Sequence, residues 1–342
     1  MRTNTAIGRS EAGFTLTELL VAMGMAIVVG MAGYVVFESS NRSSVIQSNV
    51  SDAQQNGRVA MDRLAQDIRA AGFGLPNPPF SLTIASQTFT SPMVIANSAT
   101  APDGLTIVGG RFVGGSLNQG GDATCNGEKD QFICLNPADM PNFFSGGVFL
   151  PNRRYVNVDG TQFYELATAG HVPATGKLQL AAATLARDWP DGTRVFVIEA
   201  FTYSRDIASA GCSTTTPCLA LTDLTGMRGS GIVADNIEDL QLAYGIDSSP
   251  RDGLIDDTDG DAAYTSSDFV NAPAAPATAS SVVAVRVNVV ARTRSAEAGI
   301  PKFTPPCLED RAADSTCTGA ALDGYRRRAL TKVVALRTPK TE

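Results

Sequence analysis

An uncharged apolar run near the start of the chain constrains the fold most. From Leu19 to Phe37 no side chain carries a charge. About 19 residues, at roughly 1.5 Å of rise each, make about 28 Å of helix, which is close to the thickness of the hydrocarbon layer of a membrane. The run predicts a membrane-spanning helix over residues 14–37.

A short leader of residues 1–13 precedes this helix and ends in Gly13. A secretory signal peptide has its small-residue cleavage site after its apolar region, not before it. Cleavage between Gly13 and Phe14 would therefore leave the apolar helix on the mature chain, with a new amino group at Phe14. Glu18 stands at the edge of the apolar run, where a carboxylate is unfavourable unless it reaches the interface or a cation.

The string Gly-Phe-Thr-Leu-Thr-Glu-Leu, which begins at Gly13, resembles the type IV pilin signal. In that signal a prepilin peptidase cuts after the glycine and methylates the new N-terminal residue, and a glutamate occupies the fifth mature position. The resemblance implies cleavage after Gly13, an N-methylated Phe14 and an assembly role for Glu18. The alternative is an ordinary signal anchor with Glu18 at the level of the lipid headgroups, which leaves the string unexplained.

The helix is expected to continue beyond the membrane as an amphipathic half over residues 38–72. No proline interrupts residues 14–71, and the run from Gly72 to Pro76 is a helix stop signal. Polar residues, Asp67 among them, are expected on the other faces. One apolar stripe repeats at intervals of three and four residues, through Val50, Ala53, Gly57, Met61, Leu64, Ile68 and Ala71.

Two further segments resemble PilW-type minor pilins. Residues 54–74 are similar to the end of the first helix in that family, and Arg326 to Arg337 to its last strand. J-type pseudopilins of type II secretion share the long helix and the large β-rich domain, so they remain an alternative. The resemblance implies three partners: prepilin peptidase, other minor and major pilins that bind through the first helix, and the inner-membrane assembly platform. It also implies a single-pass inner-membrane protein with a periplasmic domain, which later reaches the pilus at the cell surface.

Residues 73–342 predict a β-rich globular domain with long insertions. Three segments, Leu240–Ile246, Val282–Arg294 and Tyr325–Arg337, alternate with period two and are expected to form the main antiparallel sheet against which the helix packs. The expected fold class is therefore α+β. Other strand candidates are Leu105–Val108, Phe112–Val113, Gly147–Leu150, Tyr155–Val158, Gln162–Leu166 and Arg194–Tyr203.

Six cysteines occur as three close pairs: Cys125 and Cys134, Cys212 and Cys218, Cys307 and Cys317. An even number beyond a membrane anchor suits the oxidising periplasm, and local pairing is our hypothesis among the 15 connectivities that six cysteines allow. Metal ligation is the alternative. It is disfavoured because no spacing is C-x₂-C and His171 is the only histidine.

An acidic loop follows the first of the three C-terminal strands. Asp257, Asp259 and Asp261 have the 1-3-5 spacing of a calcium loop, and Asp268 falls at position 12. The match is partial, because position 6 is Ala262 rather than glycine and position 12 is aspartate rather than glutamate. A calcium site and a solvated acidic turn are both open. We expect no other cofactor.

The function classes that remain are structural or binding ones. The chain has a single histidine, no Gly-x-Ser-x-Gly string and no Gly-rich phosphate loop, so we expect no enzyme activity. Its formal net charge of −7 and the lack of an aromatic-basic groove argue against specific nucleic-acid binding. The leading hypothesis is a minor pilin in type IV pilus assembly or initiation, and the alternative is an adhesion or binding module at the pilus tip.

Overall fold

The structure is a computed structural model. It describes residues 14–76, 80–118, 125, 131–182, 184–186, 188–248, 254–257, 260, 265–271, 282–297 and 303–336. The chain divides into two compact units, Met1–Ser51 and Asp52–Glu342.

Helix α1 spans Leu16–Ala70 and is 55 residues long. It ends two residues before the predicted boundary, because Gly72 adopts a left-handed conformation with φ of +79°, which stops a helix at little cost for glycine. A second, one-turn helix, α2, covers Ser315–Thr318.

The described residues form seventeen strands in chain order. They are β1 (Leu82–Ile84), β2 (Gln87–Phe89), β3 (Met93–Ala96), β4 (Gly104–Ser116), β5 (Phe132–Cys134), β6 (Phe144–Ser145), β7 (Val148–Phe149), β8 (Tyr155–Val158), β9 (Gln162–Glu165), β10 (Lys177–Gln179), β11 (Arg194–Asp206), β12 (Cys218–Asp223), β13 (Gly231–Asp235), β14 (Ile237–Ile246), β15 (Phe269–Val270), β16 (Val282–Arg292) and β17 (Arg327–Ala335).

The three predicted C-terminal strands form one antiparallel sheet. Its order is β15-β14-β16-β17, with Leu242 opposite Val287 and Val287 opposite Lys332. The expectation that this is the main sheet is wrong. A larger, seven-stranded antiparallel sheet has the order β13-β12-β11-β4-β3, and β8 and β9 extend it beside β11. Its central strand β4 was predicted only as two fragments because it contains five glycines, a residue depleted in strands.

The principal core joins the stripe of α1 to both sheets. Its members include Ala60, Met61, Leu64, Ala65 and Ile68 from the helix, Leu105, Ile107, Phe201 and Tyr203 from the seven-stranded sheet, and Leu240, Leu242, Val285, Val287 and Val289 from the four-stranded sheet. Each large aliphatic side chain buried there contributes roughly 1.5–3 kcal/mol. A second core surrounds Trp189 and Phe143, so Trp189 is a packing residue.

A segment that we call the strap, residues 303–323, lies over the face of β16 that points away from the principal core. Its Glu309 accepts hydrogen bonds from Arg286 Nε at 2.7 Å and Asn288 Nδ2 at 2.5 Å. Arg286 and Asn288 of β16 are therefore buried under the strap rather than solvated. The disulfides are local: Cys125–Cys134, Cys212–Cys218 and, within the strap, Cys307–Cys317.

Candidate functional site: the first helix and its buried anchor

The first half of α1 is an exposed apolar surface. Every residue from 14 to 45 is exposed, including Phe14 at 84% and Phe37 at 70%. An 18-residue window of the helix reaches a mean hydropathy of 2.3 with none of it buried, which is long and apolar enough to cross a membrane. A contiguous apolar surface of this extent marks a segment that contacts lipid or protein.

Glu18 begins this helix as part of a capping box. Its backbone N–H donates to Thr15 Oγ1 at 3.3 Å, and its Oε2 accepts from the Thr15 N–H at 3.0 Å and hydroxyl at 2.9 Å. These bonds satisfy N–H groups that the first helical turn leaves free. Glu18 Oε1 accepts no hydrogen bond from the residues that the structure describes. The carboxylate is therefore held in place with one oxygen available to a cation. Gly13 lies outside the described residues.

The other end of α1 is fixed by a largely buried cluster of charged and polar side chains, which we call the anchor: Arg63, Asp67, Glu199, Tyr203 and Arg228. Asp67 is 3% exposed, so its predicted place on a polar face is wrong. It accepts hydrogen bonds from Arg228 Nη1 at 2.8 Å and from the Tyr203 hydroxyl, and it pairs with Arg63 Nε at 3.1 Å. The burial of Asp67 could have been predicted from its interval of three residues from Leu64, which places Asp67 on the same face of the helix as the buried stripe.

Arg228 connects the helix to the seven-stranded sheet. It donates to both oxygens of Glu199, from Nε at 2.9 Å and from Nη2 at 2.5 Å, and its Cζ lies 4.0 Å from the centre of the Phe201 ring. Burial by itself would lower the pKa of Arg228, but hydrogen bonds and charges from Glu199 and Asp67 outweigh it and raise that pKa. Burial, followed by the hydrogen bond to Asp67, raises the pKa of Tyr203. The anchor thus holds a charged arginine and a neutral tyrosine at neutral pH.

The end of α1 also docks on β4 through the backbone. The Gly72 N–H donates to Val108 O at 3.1 Å, and the Gly110 N–H donates to Phe73 O at 2.5 Å. A side chain at Gly110 would lie 2.7 Å from Phe73 O. Gly109 and Gly110, two of the five glycines that weaken the strand signal of β4, therefore allow the helix end to approach this strand.

The acidic loop is described only in part, since Asp259 and Asp261 lie outside the described residues. Asp257 Oδ1 accepts from the Gly260 N–H at 2.6 Å. Asp268 is 1% exposed and caps the 3₁₀ helix Ser266–Asp268 by accepting from the Thr265 N–H at 2.7 Å. In the part of the chain that the structure describes, no three acidic, histidine or cysteine side chains form a metal-binding group. The loop geometry thus assigns Asp268 a capping role.

His171 lies between aromatic rings rather than in a ligand set. Its ring centre is 4.2 Å from that of Phe149 and 5.6 Å from that of Phe144. Nδ1 accepts from the Gln179 N–H at 3.0 Å and Nε2 lies 2.9 Å from Ala167 O. Both ring nitrogens are therefore used in local structure.

Comparison with known proteins bears on the C-terminal part of the chain. Residues 208–338 match the family described as Type IV Pilus-assembly protein W. The resemblance to PilW-type pilins is thus confirmed. The PilW-matching region is less than half of the chain, and it contains β12 to β17 and the anchor residue Arg228. It relates the chain to type IV pilus assembly and, together with the apolar first helix, fits a membrane-anchored pilin.

The other comparisons add little. A solved structure of a type IV-like pilin from Thermus thermophilus aligns over 84% of this chain and 96% of its own, with 12% identity and a TM-score of 0.33. At this identity and TM-score, the likeness supports no conclusion about the fold or the function of this chain. No curated protein matches the chain.

Proposed function

We propose that the chain is a minor pilin, a structural subunit without enzyme activity that takes part in assembly or initiation of a type IV pilus. The observation that carries the proposal is the wholly exposed apolar half of α1 on a chain whose residues 208–338 match PilW. Such a surface is stable only when lipid or other helices shield it from water. The first helix of a pilin enters both environments in turn, first the membrane and then the filament.

The processing steps follow from the residues at the start of α1. Prepilin peptidase would remove residues 1–13 by cutting after Gly13 and would methylate the Phe14 amine. The single-pass precursor would lie in the inner membrane with its globular domain in the periplasm. After assembly the protein would stand in the pilus at the cell surface.

In the filament, α1 would pack among other minor and major pilins, with the inner-membrane assembly platform inserting it. Glu18 would meet the Phe14 amine of its own chain or of a neighbour. The two opposite charges would then offset the unfavourable removal of each from water. The available Oε1 of Glu18 supports this pairing. We propose no nucleic-acid partner.

The test separates the charge of Glu18 from its capping role. Gln at position 18 keeps an acceptor for the Thr15 N–H but has no charge, whereas Ala removes both. We expect Glu18→Gln and Glu18→Ala to be cleaved normally and to enter pili roughly tenfold less or worse, as loss of a buried ion pair predicts. Glu38→Ala, which changes an exposed carboxylate on the same helix, is the matched control.

Wild-type incorporation of both Glu18 variants would contradict the proposed role. Normal incorporation of Glu18→Gln with failure of Glu18→Ala would show that only helix capping matters. The alternative of a J-type pseudopilin is tested in the same strains, because it predicts a secretion defect with normal pili. The PilW match favours the pilus. A tip adhesin would instead leave pili intact and abolish attachment.

We keep calcium binding at Asp257, Asp259, Asp261 and Asp268 as a separate proposal, supported by their spacing. Millimolar calcium should raise the thermal midpoint of the detergent-solubilised full chain, and an equal concentration of magnesium should do so less. The shift should be lost in an Asp259→Ala/Asp261→Ala variant. No shift, or an equal shift in that variant, would refute the site and favour a solvated acidic turn.

A further inference from the structure

Arg153 is a half-buried cation beside the ring of Phe112. It ends the 3₁₀ helix Pro151–Arg153, and its Cζ lies 4.6 Å from the centre of the Phe112 ring. Its Nη1 is 4.0 Å from Met227 Sδ, and its Nε is buried without a hydrogen-bond acceptor. Among the residues that the structure describes, no carboxylate forms a salt bridge with it. A buried donor in this state is unfavourable until an acceptor reaches it.

A β-bulge in β4 contains a second arginine, Arg111, next to Phe112. In the ladder between β4 and β11, Val197 pairs with Phe112 and Ile198 with Gly110, so Arg111 is the extra residue. Bulges redirect side chains and are common beside functional sites. The side chain of Arg111 is 51% exposed. Arg153 lies over the ring of Phe112, the residue that follows Arg111. In keeping with this, burial and then the positive charge of Arg111 lower the pKa of Arg153, while the charge of Glu199 raises it in part.

Glu199 offsets the charge of this pair only in part. Among the described residues it forms the salt bridge to Arg111, 3.9 Å from Arg111 Nε, but both of its oxygens are held at 2.9 Å and 2.5 Å by Arg228. Asp67 is likewise held by Arg228 and Arg63. Both carboxylates are thus bound by Arg228, and neither places an acceptor oxygen within hydrogen-bond distance of Arg111 or Arg153 in the part of the chain that the structure describes.

We propose that Arg111 and Arg153 form a binding site for an oxyanion, either a phosphate or a carboxylate. A guanidinium group binds both through two parallel N–H···O bonds. The Phe112 ring lies against Arg153 and holds the plane of its guanidinium group. The partly exposed Arg111 would bind the same oxyanion from another side. A free phosphate and a carboxylate carried by another protein offer the same chemistry to this site.

The experiment is a thermal titration of the full chain in an uncharged detergent at pH 7. Sodium phosphate or sodium acetate replaces sodium chloride at constant ionic strength, so that general screening does not change. We expect the midpoint to rise with phosphate, acetate or both. The apparent dissociation constant should increase roughly tenfold or more in Arg153→Gln and in Arg111→Gln. Arg194→Gln, an exposed arginine of the same sheet, should bind like the wild type.

The two anions distinguish the sources of the ligand. A response to phosphate alone assigns the site to phosphate or a phosphoryl group. A response to acetate as well, or to acetate alone, assigns it to a carboxylate. A midpoint that does not differ between chloride and either anion would overturn the proposal, and so would a response that Arg153→Gln leaves unchanged. Circular dichroism of each variant in chloride confirms that the variants compared are folded.

Discussion

Arg228 Nη1 lies 2.8 Å from Asp67 Oδ1, and this contact joins the loop after β12 to the last turns of α1. The same guanidinium group binds Glu199 on β11, so one side chain connects helix, loop and sheet. Since Asp67 and Glu199 are both buried, the position of the helix end depends on the arginine that neutralises them.

Removal of that arginine is the first prediction. Arg228→Ala leaves two buried carboxylates without their main cation, and we expect it to lower the free energy of unfolding by about 3–5 kcal/mol. Arg326→Ala is the matched control, because Arg326 pairs with Glu297 while its side chain is 44% exposed. Exposed pairs contribute about 0–1 kcal/mol. Denaturant titration, followed by the fluorescence of Trp189, measures both values. Equal effects of the two substitutions would refute the anchor.

The glycine contact between β4 and the end of α1 gives the second prediction. An alanine Cβ at position 110 would lie 2.7 Å from the backbone oxygen of Phe73. Because the backbone at Phe73 or at position 110 must move to relieve this contact, we expect Gly110→Ala to destabilise the protein by about 1–3 kcal/mol. At Gly231 a Cβ meets nothing within 4 Å, so Gly231→Ala should change stability by less than about 0.5 kcal/mol. A harmless Gly110→Ala in the same denaturant assay would show that the close approach is not needed.

Asp103 gives a pH prediction. It is 1% exposed, and burial raises its pKa to about 6, although the N–H groups of Ser98 and Leu242 each donate to it at 2.8 Å. An unfolded aspartate has a pKa of about 3.9. Between these values the folded state holds a proton that the unfolded state has lost. The contribution of Asp103 to the free energy of unfolding is therefore greatest below pH 4 and falls as the pH rises through 6.

The comparison that tests this is wild type against Asp103→Asn, with Asp52→Asn, an exposed carboxylate of α1, as control. The stability of the wild type relative to Asp103→Asn should decrease between pH 4 and pH 7, by up to about 3 kcal/mol. Relative to Asp52→Asn it should change little. A wild-type advantage over Asp103→Asn that is constant or grows with pH would contradict the raised pKa.

Sequence patterns predicted the helices and strands whose residue periodicity matches the contacts that they make in the fold. The stripe from Ala53 to Ala71 has a helical period, and the structure buries it. Strands β14, β16 and β17 alternate clearly, and they pair as expected. The resemblance to PilW, which rests on residues 54–74 and 326–337, is confirmed by a family match over residues 208–338, which covers the second of these segments.

What the sequence did not reveal depends on contacts between distant residues. Strand β4 is held by β11, about 90 residues away. Its glycines, of which Gly109 and Gly110 meet the helix end, weaken the strand pattern in the sequence. Asp67 looks like a surface residue until Arg228, 161 positions later, is placed beside it. The place of Arg111 as the extra residue of β4 depends on a bulge that no local pattern indicates. The helix start at Thr15 and Glu18 is local, and its Ser/Thr-x-x-Glu string could have been recognised as a capping box.

Mass spectrometry of sheared pili can show whether α1 leaves the membrane and enters a filament, as we propose. We predict that pili contain this protein, with an N-terminal peptide that begins at an N-methylated Phe14. The strain carrying Glu18→Gln should show the same processed N-terminus in the membrane fraction and little of it in the pili. Absence of the wild-type protein from pili, with residues 1–13 still attached in the membrane, would contradict the account.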